Sequence, residues 1–215
     1  MINTRFRLGG RNDTGMNEKE YKYIVGIDEV GRGPIAGPVT VCAFAVATDN
    51  TKAVFEYLDG ITDSKKLSEK KREIYFQKIT ELRDQNLVHV AVSSVDAVTI
   101  DSHGIVPAIT SALNSSLEKL SLDPAETFVY LDGGLQAEGK YINQETVVKG
   151  DSKIWQIGAA SIVAKVLRDR KMCEYGIQYP EYGFEKHKGY GTKKHRDTIA
   201  DMGTVPIHRV SWIKT

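Results

Sequence analysis

Tyr23-Ile24-Val25-Gly26-Ile27-Asp28-Glu29-Val30-Gly31-Arg32-Gly33-Pro34-Ile35-Ala36-Gly37-Pro38 is an apolar strand that runs into two adjacent carboxylates and then into a glycine-rich turn. Buried strands read as near-continuous Val and Ile runs. Ending one on Asp28 and Glu29 costs desolvation energy unless a cation or hydrogen-bond donors compensate, and a metal is the obvious cation. Gly31 and Gly33 allow a ligand or another backbone to come close, while Arg32 sets a fixed positive charge beside the acids. A plain reading competes with this one, because an acid at a strand end often only caps a turn. Gly31 to Ala36 also formally matches the dinucleotide fingerprint G-x-G-x-x-A, which must open a helix. The match fails: Pro34 and Pro38 flank the turn, and Val39 to Val46 continues as β-branched strand.

With 215 residues and 41% hydrophobic content the chain can bury a full core, which points to one α/β domain over residues 21–215. Met1 to Glu20 is polar, carries Gly9, Gly10 and Gly15, and has no apolar run of signal-peptide or membrane-spanning length. A disordered tail, a cytoplasmic protein and no membrane contact are the expectations. Cys42 and Cys173 lack metal-ligand spacing and are expected to be buried free thiols. The net charge of +1 hides a division. Residues 140–215 carry 14 Lys and Arg against 8 Asp and Glu, a balance of +6, which leaves −5 for residues 1–139. Such a split suits a protein that grips a polyanion with one surface and a cation with another, although lysines also simply solvate helix faces.

Strands are expected at Lys22 to Val30, Val39 to Ala47, Leu87 to Val95, Thr127 to Leu131 and Thr146 to Val148. Helices are expected at Ser68 to Leu82, Ile105 to Leu120, about Ser152 to Tyr175, and Thr192 to Met202. Strands joined first by hairpins and later through helices indicate a mixed sheet flanked by helices. Two further acids fall where that sheet would present them. Asp132 ends a strand before Gly133 and Gly134, and Asp151 precedes the third helix. Asp132 could start a turn and Asp151 could be an N-cap. Strand ends and helix starts nevertheless converge on one edge of such a sheet, and four carboxylates there would repel one another without divalent cations between them.

Taken together, Asp28 to Pro38, Asp63-Ser64-Lys65-Lys66-Leu67-Ser68, Asp132-Gly133, Lys149-Gly150-Asp151, Ala159 to Lys165 with Arg168-Asp169-Arg170, and His187-Lys188-Gly189-Tyr190-Gly191-Thr192 resemble bacterial ribonuclease HII, in consistent order from about Tyr23 to Trp212. The resemblance implies a ribonuclease H-like fold, a mixed five-stranded sheet flanked by helices with a C-terminal helical extension over about residues 176–215. It implies an endonuclease that cuts RNA in RNA/DNA hybrids and nicks DNA duplexes 5′ to embedded ribonucleotides, leaving 5′-phosphate and 3′-hydroxyl ends, in repair and primer removal. Two divalent ions, Mn²⁺ or Mg²⁺, would be held by Asp28, Glu29, Asp132 and Asp151, with Asp28 expected to bridge them. Substrate contacts map onto Gly31, Arg32, Gly33, Ser64, Lys65, Lys165, Lys188 and Tyr190. A monomer is expected. The segment His208 to Thr215 lacks an obvious partner-docking tail, which leaves a sliding-clamp contact open. Ribonuclease HIII fits less well, since it carries a threonine at the place of Arg32 and an extra N-terminal domain.

Only the 2′-hydroxyl distinguishes RNA from DNA at a cut site, and a glycine turn can offer it backbone groups at close range. Tyr175 to Gly191 interleaves Tyr179, Tyr182, Phe184 and Tyr190 with Lys186, His187 and Lys188, pairing stacking surfaces with phosphate contacts; Tyr182 and Phe184 are assigned to the core. A non-catalytic hybrid-binding module would have no use for converging acids. A DNA-junction resolvase of similar fold is the competing enzyme, separated by whether the cut requires a 2′-hydroxyl.

Overall fold

A computed structural model describes residues 20–59, 61 and 63–213, so the expected tail lies outside the described residues except for Glu20. The elements are β1 (Tyr23–Val30), β2 (Val39–Ala47), α1 (Thr51–Tyr57), α2 (Glu69–Asp84), β3 (Val88–Val95), α3 (Ala97–His103), α4 (Ile105–Leu120), β4 (Thr127–Asp132), β5 (Gln144–Val147), α5 (Trp155–Gln178), α6 (Phe184–His187) and α7 (Lys193–Met202). They form the expected mixed five-stranded sheet, in the order β3-β2-β1-β4-β5. β1 and β2 form a hairpin, β2 and β3 pair antiparallel across the α1–α2 excursion, and β1, β4 and β5 run parallel.

Strand periodicity sorts the core into two layers. Ile24, Cys42, Phe44, Val46, Phe128 and Tyr130 point to the face covered by α1, α2 and α5. Their neighbours Val25, Ile27, Val41, Ala43, Val129 and Leu131 point to the face covered by α3 and α4. Alternate residues of a strand point to opposite faces, so the central strands must be apolar at nearly every position. The charged exceptions sit at their ends.

Helix α5 comes close enough to the sheet that one strand residue must lack a side chain. A Cβ at Gly26 would lie 2.2 Å from the carbonyl carbon of Gln156 and 2.3 Å from the amide nitrogen of Ile157. Beside it, fully buried Trp155 packs edge-on against Phe44 at 5.7 Å. The bulky Trp155 therefore fills the space between α5 and β2.

Several boundaries differ from the sequence reading, most by one to three residues; β5 runs Gln144–Val147 where Thr146 to Val148 was expected. Helix α5 starts at Trp155, because a 3-10 turn over Gly150–Ser152 holds Asp151 in place before it. Asp151 is thus no helix cap; the cap position is Ile154, which supplies no side-chain bond. Short α1 and α3 escaped the periodicity argument, since 7 residues span only two turns. Cys42 is buried as expected, whereas Cys173 is only partly so.

The C-terminal extension has its own small core of Ala36, Met172, Tyr182 and Phe184. Ala36 bridges His208 in antiparallel fashion, so the extension is joined to the glycine turn after β1. None of the described helices is long and apolar enough to cross a membrane.

Gly26→Ala should destabilise the protein by about 3 kcal/mol, since the obstacle is helix backbone and cannot rotate away. Urea denaturation followed by circular dichroism measures this. A loss under about 1 kcal/mol would show that α5 can withdraw from β1.

Candidate active site

The acids arrive by register. β1 and β4 are parallel neighbours with Ile27 opposite Leu131, so the next residues, Asp28 and Asp132, end side by side. β5 delivers the chain to Gly150, whose amide donates to Asp132 Oδ1 at 2.6 Å, and Asp151 follows. Glu29 faces Arg32 at 3.5 Å. Asp28 and Asp151 are each only 6% exposed.

Crowding of acids in a poorly solvated place shows in their proton affinities. Burial pushes the Asp28 carboxyl well above its ordinary value; a Ser161 hydrogen bond opposes this, and the fields of Glu29, Asp132 and Asp151 add to it. Glu29 is raised by burial against the pull of Arg32, with Asp132 adding to the rise. Asp151 is pushed up to about 6 by burial, then by the fields of Asp63 and Asp132 and a hydrogen bond with Asp63, with Lys65 opposing.

Sequence reasoning quoted Asp63 without assigning it to the site. Its carboxylate accepts from the Lys65 amide at 2.8 Å while reaching Asp151. The readable signal was turn chemistry, an Asp capping a 3-10 turn two residues ahead of a lysine. Lys65 is the cation of the cluster: burial works against its ammonium, but Asp28, Asp151, Asp63 and Asp132 outweigh that and raise its pKa.

Ser64 sits differently from a substrate contact. It is 3% exposed, and its hydroxyl lies 2.8 Å from that of Ser161. A carboxylate only accepts, so Ser161 must give its proton to Asp28 and Ser64 must give its own to Ser161. The chain of donors orients Asp28. Lys165 is likewise engaged, its ammonium 2.8 Å from Asp169, and the Lys188 ammonium donates to the Glu185 carbonyl at 2.6 Å and to Cys173 Sγ at 3.2 Å. Each ammonium has three donors, so a phosphate would share either lysine with those partners.

The glycine turn divides into a buried and an open part. Gly31 is buried at φ +95°, and a Cβ there would lie 2.3 Å from Arg168 Nε, so its glycine serves the packing beneath the turn. Gly33 is exposed, and a Cβ there would find only the Tyr190 ring, 3.8 Å away. Tyr190 is 49% exposed. Tyr182 and Phe184 are in the core, stacked at 5.4 Å. Two buried arginines hold the turn from below. Arg168 donates to the carbonyls of Pro38, Lys188 and Ala36, and Arg209 to those of Gly31, Arg32 and Gly37. Arg209 was not anticipated, because a lone arginine near a chain end carries no sequence signal of burial.

Oxygen-only donors suit a hard divalent cation. Among the described residues, however, no three carboxylate, thiol or imidazole groups converge tightly enough to cage an ion as they stand. Asp28 Oδ1 accepts from the Glu29 amide and Asp132 Oδ1 from the Gly150 amide. The cluster fits a cation by its chemistry, with its side chains resting on backbone donors.

A family model described as Ribonuclease HII matches residues 25–215. Ribonuclease HII of Endomicrobium trichonymphae is 44% identical over 200 residues, 93% of this chain and 90% of that one. Among solved structures, ribonuclease H2 from Pyrococcus horikoshii OT3 matches with a TM-score of 0.70 at 25% identity, over 88% of this chain and 93% of that one. Bst-RNase HIII in complex with Mn²⁺ shares the fold at a TM-score of 0.67 and 19% identity, over 89% of this chain and 67% of that one.

The raised Asp151 pKa has a direct consequence for the metal-free protein. Its folded value of about 6 lies above the ordinary 3.8, so its contribution to stability is fully present below about pH 4 and is lost as pH rises through 6. In chelator, Asp151→Asn should therefore melt at the same temperature as the parent near pH 4 and at a higher one above pH 7. Thermal melts at both values check this; a gap that does not change with pH would show that Asp151 is not held above its ordinary value.

Proposed function

The chain belongs to the ribonuclease HII family and is a ribonuclease H, and from that premise we propose that it hydrolyses RNA in RNA/DNA hybrids and nicks DNA duplexes 5′ to embedded ribonucleotides. One observation carries the reading: the acids Asp28, Glu29, Asp132 and Asp151 gather at the sheet edge from which the Gly31 to Pro38 turn projects, and that turn presents Gly33 beside the half-exposed ring of Tyr190.

The four carboxylates would hold divalent ions, Mn²⁺ or Mg²⁺. When bound, such ions supply an activated water and a stabilised leaving oxygen for in-line phosphodiester hydrolysis. The protein's own groups do the rest. Ser64 and Ser161 orient Asp28 through their hydroxyl chain, and Asp63 orients Asp151. Lys65 adds a positive charge where a phosphate must approach the acids. Gly33 leaves room for a ribose, and Tyr190 opposite it offers a ring face to the neighbouring sugar. Backbone groups of the open turn then read the 2′-hydroxyl, which separates this enzyme from a junction resolvase. Removal of misincorporated ribonucleotides and of primers is the role that follows, with 5′-phosphate and 3′-hydroxyl ends.

Asp28→Asn should lower nicking of a duplex bearing one ribonucleotide by at least about 100-fold while hybrid binding stays within a few fold, because the phosphate grip lies elsewhere. An all-DNA duplex should stay intact. Efficient cutting of that duplex by the parent protein would move the assignment to the resolvase class. Gel assays with Mg²⁺ and with Mn²⁺ give both results.

Tyr190→Ala should lower the same nicking by about 10-fold or more and Tyr190→Phe should retain most of it. A half-exposed ring contributes little to the fold, so both melting temperatures should stay within about 2 °C of the parent. A large fall in the melting temperature of the Ala variant would assign the ring to the core instead.

A further inference from the structure

Beneath the Tyr190 loop lie three histidines that the chemistry above leaves unused. His195 and His208 are 0% and 2% exposed. His187 stacks on His195 at 4.2 Å with 16° between the rings, and the Phe184 ring closes the group edge-on at 5.4 Å from His195.

Hydrogen-bond chemistry assigns every proton in this group. His195 Nδ1 is 2.9 Å from the Tyr190 carbonyl, which only accepts, so Nδ1 carries a hydrogen. His195 Nε2 is 3.0 Å from His208 Nε2, and one of the two must donate. His208 Nδ1 accepts from the Val205 amide at 2.9 Å, so in its neutral form His208 donates from Nε2 and His195 Nε2 accepts. The nearby Val205 carbonyl, 3.1 Å from His208 Nδ1, is then a contact only. His187 donates from Nε2 to the Tyr182 carbonyl at 2.8 Å and accepts at Nδ1 from the Gly189 amide at 3.2 Å. The bonds of each ring thus fit a single tautomer, a neutral one for His195 and His208. Burial supports this: it lowers His195 to about 4, against the Tyr190 carbonyl bond and with help from His187, His208 and Arg196, and it lowers His208 as well.

Two of these bonds go to the backbone on either side of the Tyr190 side chain. His187 takes the Gly189 amide, His195 takes the Tyr190 carbonyl, and the Gly189 carbonyl in turn accepts from the amides of Ile35 and Ala36 at 2.9 and 3.2 Å. The loop is thereby fixed against the turn that carries Gly33. Tyr190 lies between Gly189 and Gly191 in a short turn, its amide donating to the His187 carbonyl at 2.9 Å and its carbonyl accepting also from the Thr192 amide at 2.8 Å; the His195 bond ties that turn to the buried group below.

We infer that His195 is a positioning residue for Tyr190: by donating from Nδ1 to the Tyr190 carbonyl, with Nε2 locked by His208, it sets the ring opposite Gly33 and so supports cutting at a single embedded ribonucleotide. This rests on the reading of Tyr190 as a substrate-facing ring. Preorganisation is the physical gain, since a glycine-flanked turn not anchored to the buried group would have to be placed by the substrate at each encounter.

Side-chain amides can replace one imidazole nitrogen at a time. His195→Asn places an amide donor near the Nδ1 position, and His195→Gln places one near Nε2 and loses the Nδ1 donor. On a duplex with one ribonucleotide, His195→Gln should lower kcat about 10-fold, as Tyr190→Ala does, whereas His195→Asn should stay within about 3-fold of the parent. Adding His195→Gln to Tyr190→Ala should cause no further loss, because the two act through one contact. Full nicking by Tyr190→Ala would refute the reading of the ring, and the inference with it. An impaired Tyr190→Ala combined with equal Asn and Gln variants, or with multiplicative loss in the double variant, would overturn the inference alone. A measurement on the unaltered protein covers the case in which the variants do not fold. Nitrogen-15 spectra of labelled histidine should show one Nδ1–H and two Nε2–H neutral tautomers in the buried group at pH 7; an Nε2–H tautomer at His195 would remove the bond to Tyr190 and the inference with it.

Discussion

Arg168 and Arg209, 1% and 0% exposed, hold the structure around the glycine turn together. A guanidinium taken out of water costs several kcal/mol unless its donors are satisfied. Here they meet carbonyls: three bonds from Arg168 and four from Arg209. Burial lowers both guanidinium pKa values to about 10, which leaves the charges in place at neutral pH. The carbonyls are those of the turn after β1 and of Lys188. A planar fork with five donors spreads its bonds over carbonyls that the three donors of a single ammonium nitrogen would not span, so lysine is a poor replacement for either residue.

That arrangement explains why a C-terminal extension is needed at all. The turn follows the strand that carries Asp28 and Glu29, and its open side carries Gly33. Arg168 reaches it from α5 and Arg209 from the chain beyond α7, so the positive side chains fix the turn from beneath and leave Gly33 and Tyr190 on the surface. The histidine group then ties the Tyr190 backbone to the same region. Strand, turn and extension form one support, with the carboxylates on one side and the open Gly33 and Tyr190 on the other.

The acid cluster opposes the fold that presents it. Buried, mutually repelling carboxylates raise one another's proton affinity, and Lys65, Arg32 and the Ser64 to Ser161 chain offset only part of that. Strain of this kind is expected where function, rather than stability, selects the residues.

The amino-acid sequence by itself determined the sheet, the four long helices and the order of the acids along the chain. Those features are local: Val and Ile runs at strand spacing, apolar faces at helical spacing, and acids that end strands beside glycine. Helix α4 and strand β2 match their expected limits at both ends for that reason. Tertiary structure alone decided what lies far apart in sequence and close in space. Ser64 and Ser161 are 97 residues apart, and Arg209 meets Gly31 across 178. It turned Ser64 inward to Ser161, occupied Lys165 and Lys188 with other partners, put Gly31 on packing duty, and brought Asp63 to Asp151. Gly26 shows the limit of local reading most plainly. In the chain it is a weak residue inside a strand, and only the approach of α5 gives a reason for it. A hydrogen bond or a steric contact between remote residues leaves no periodic trace in either segment, so it becomes visible only when the fold has brought them together.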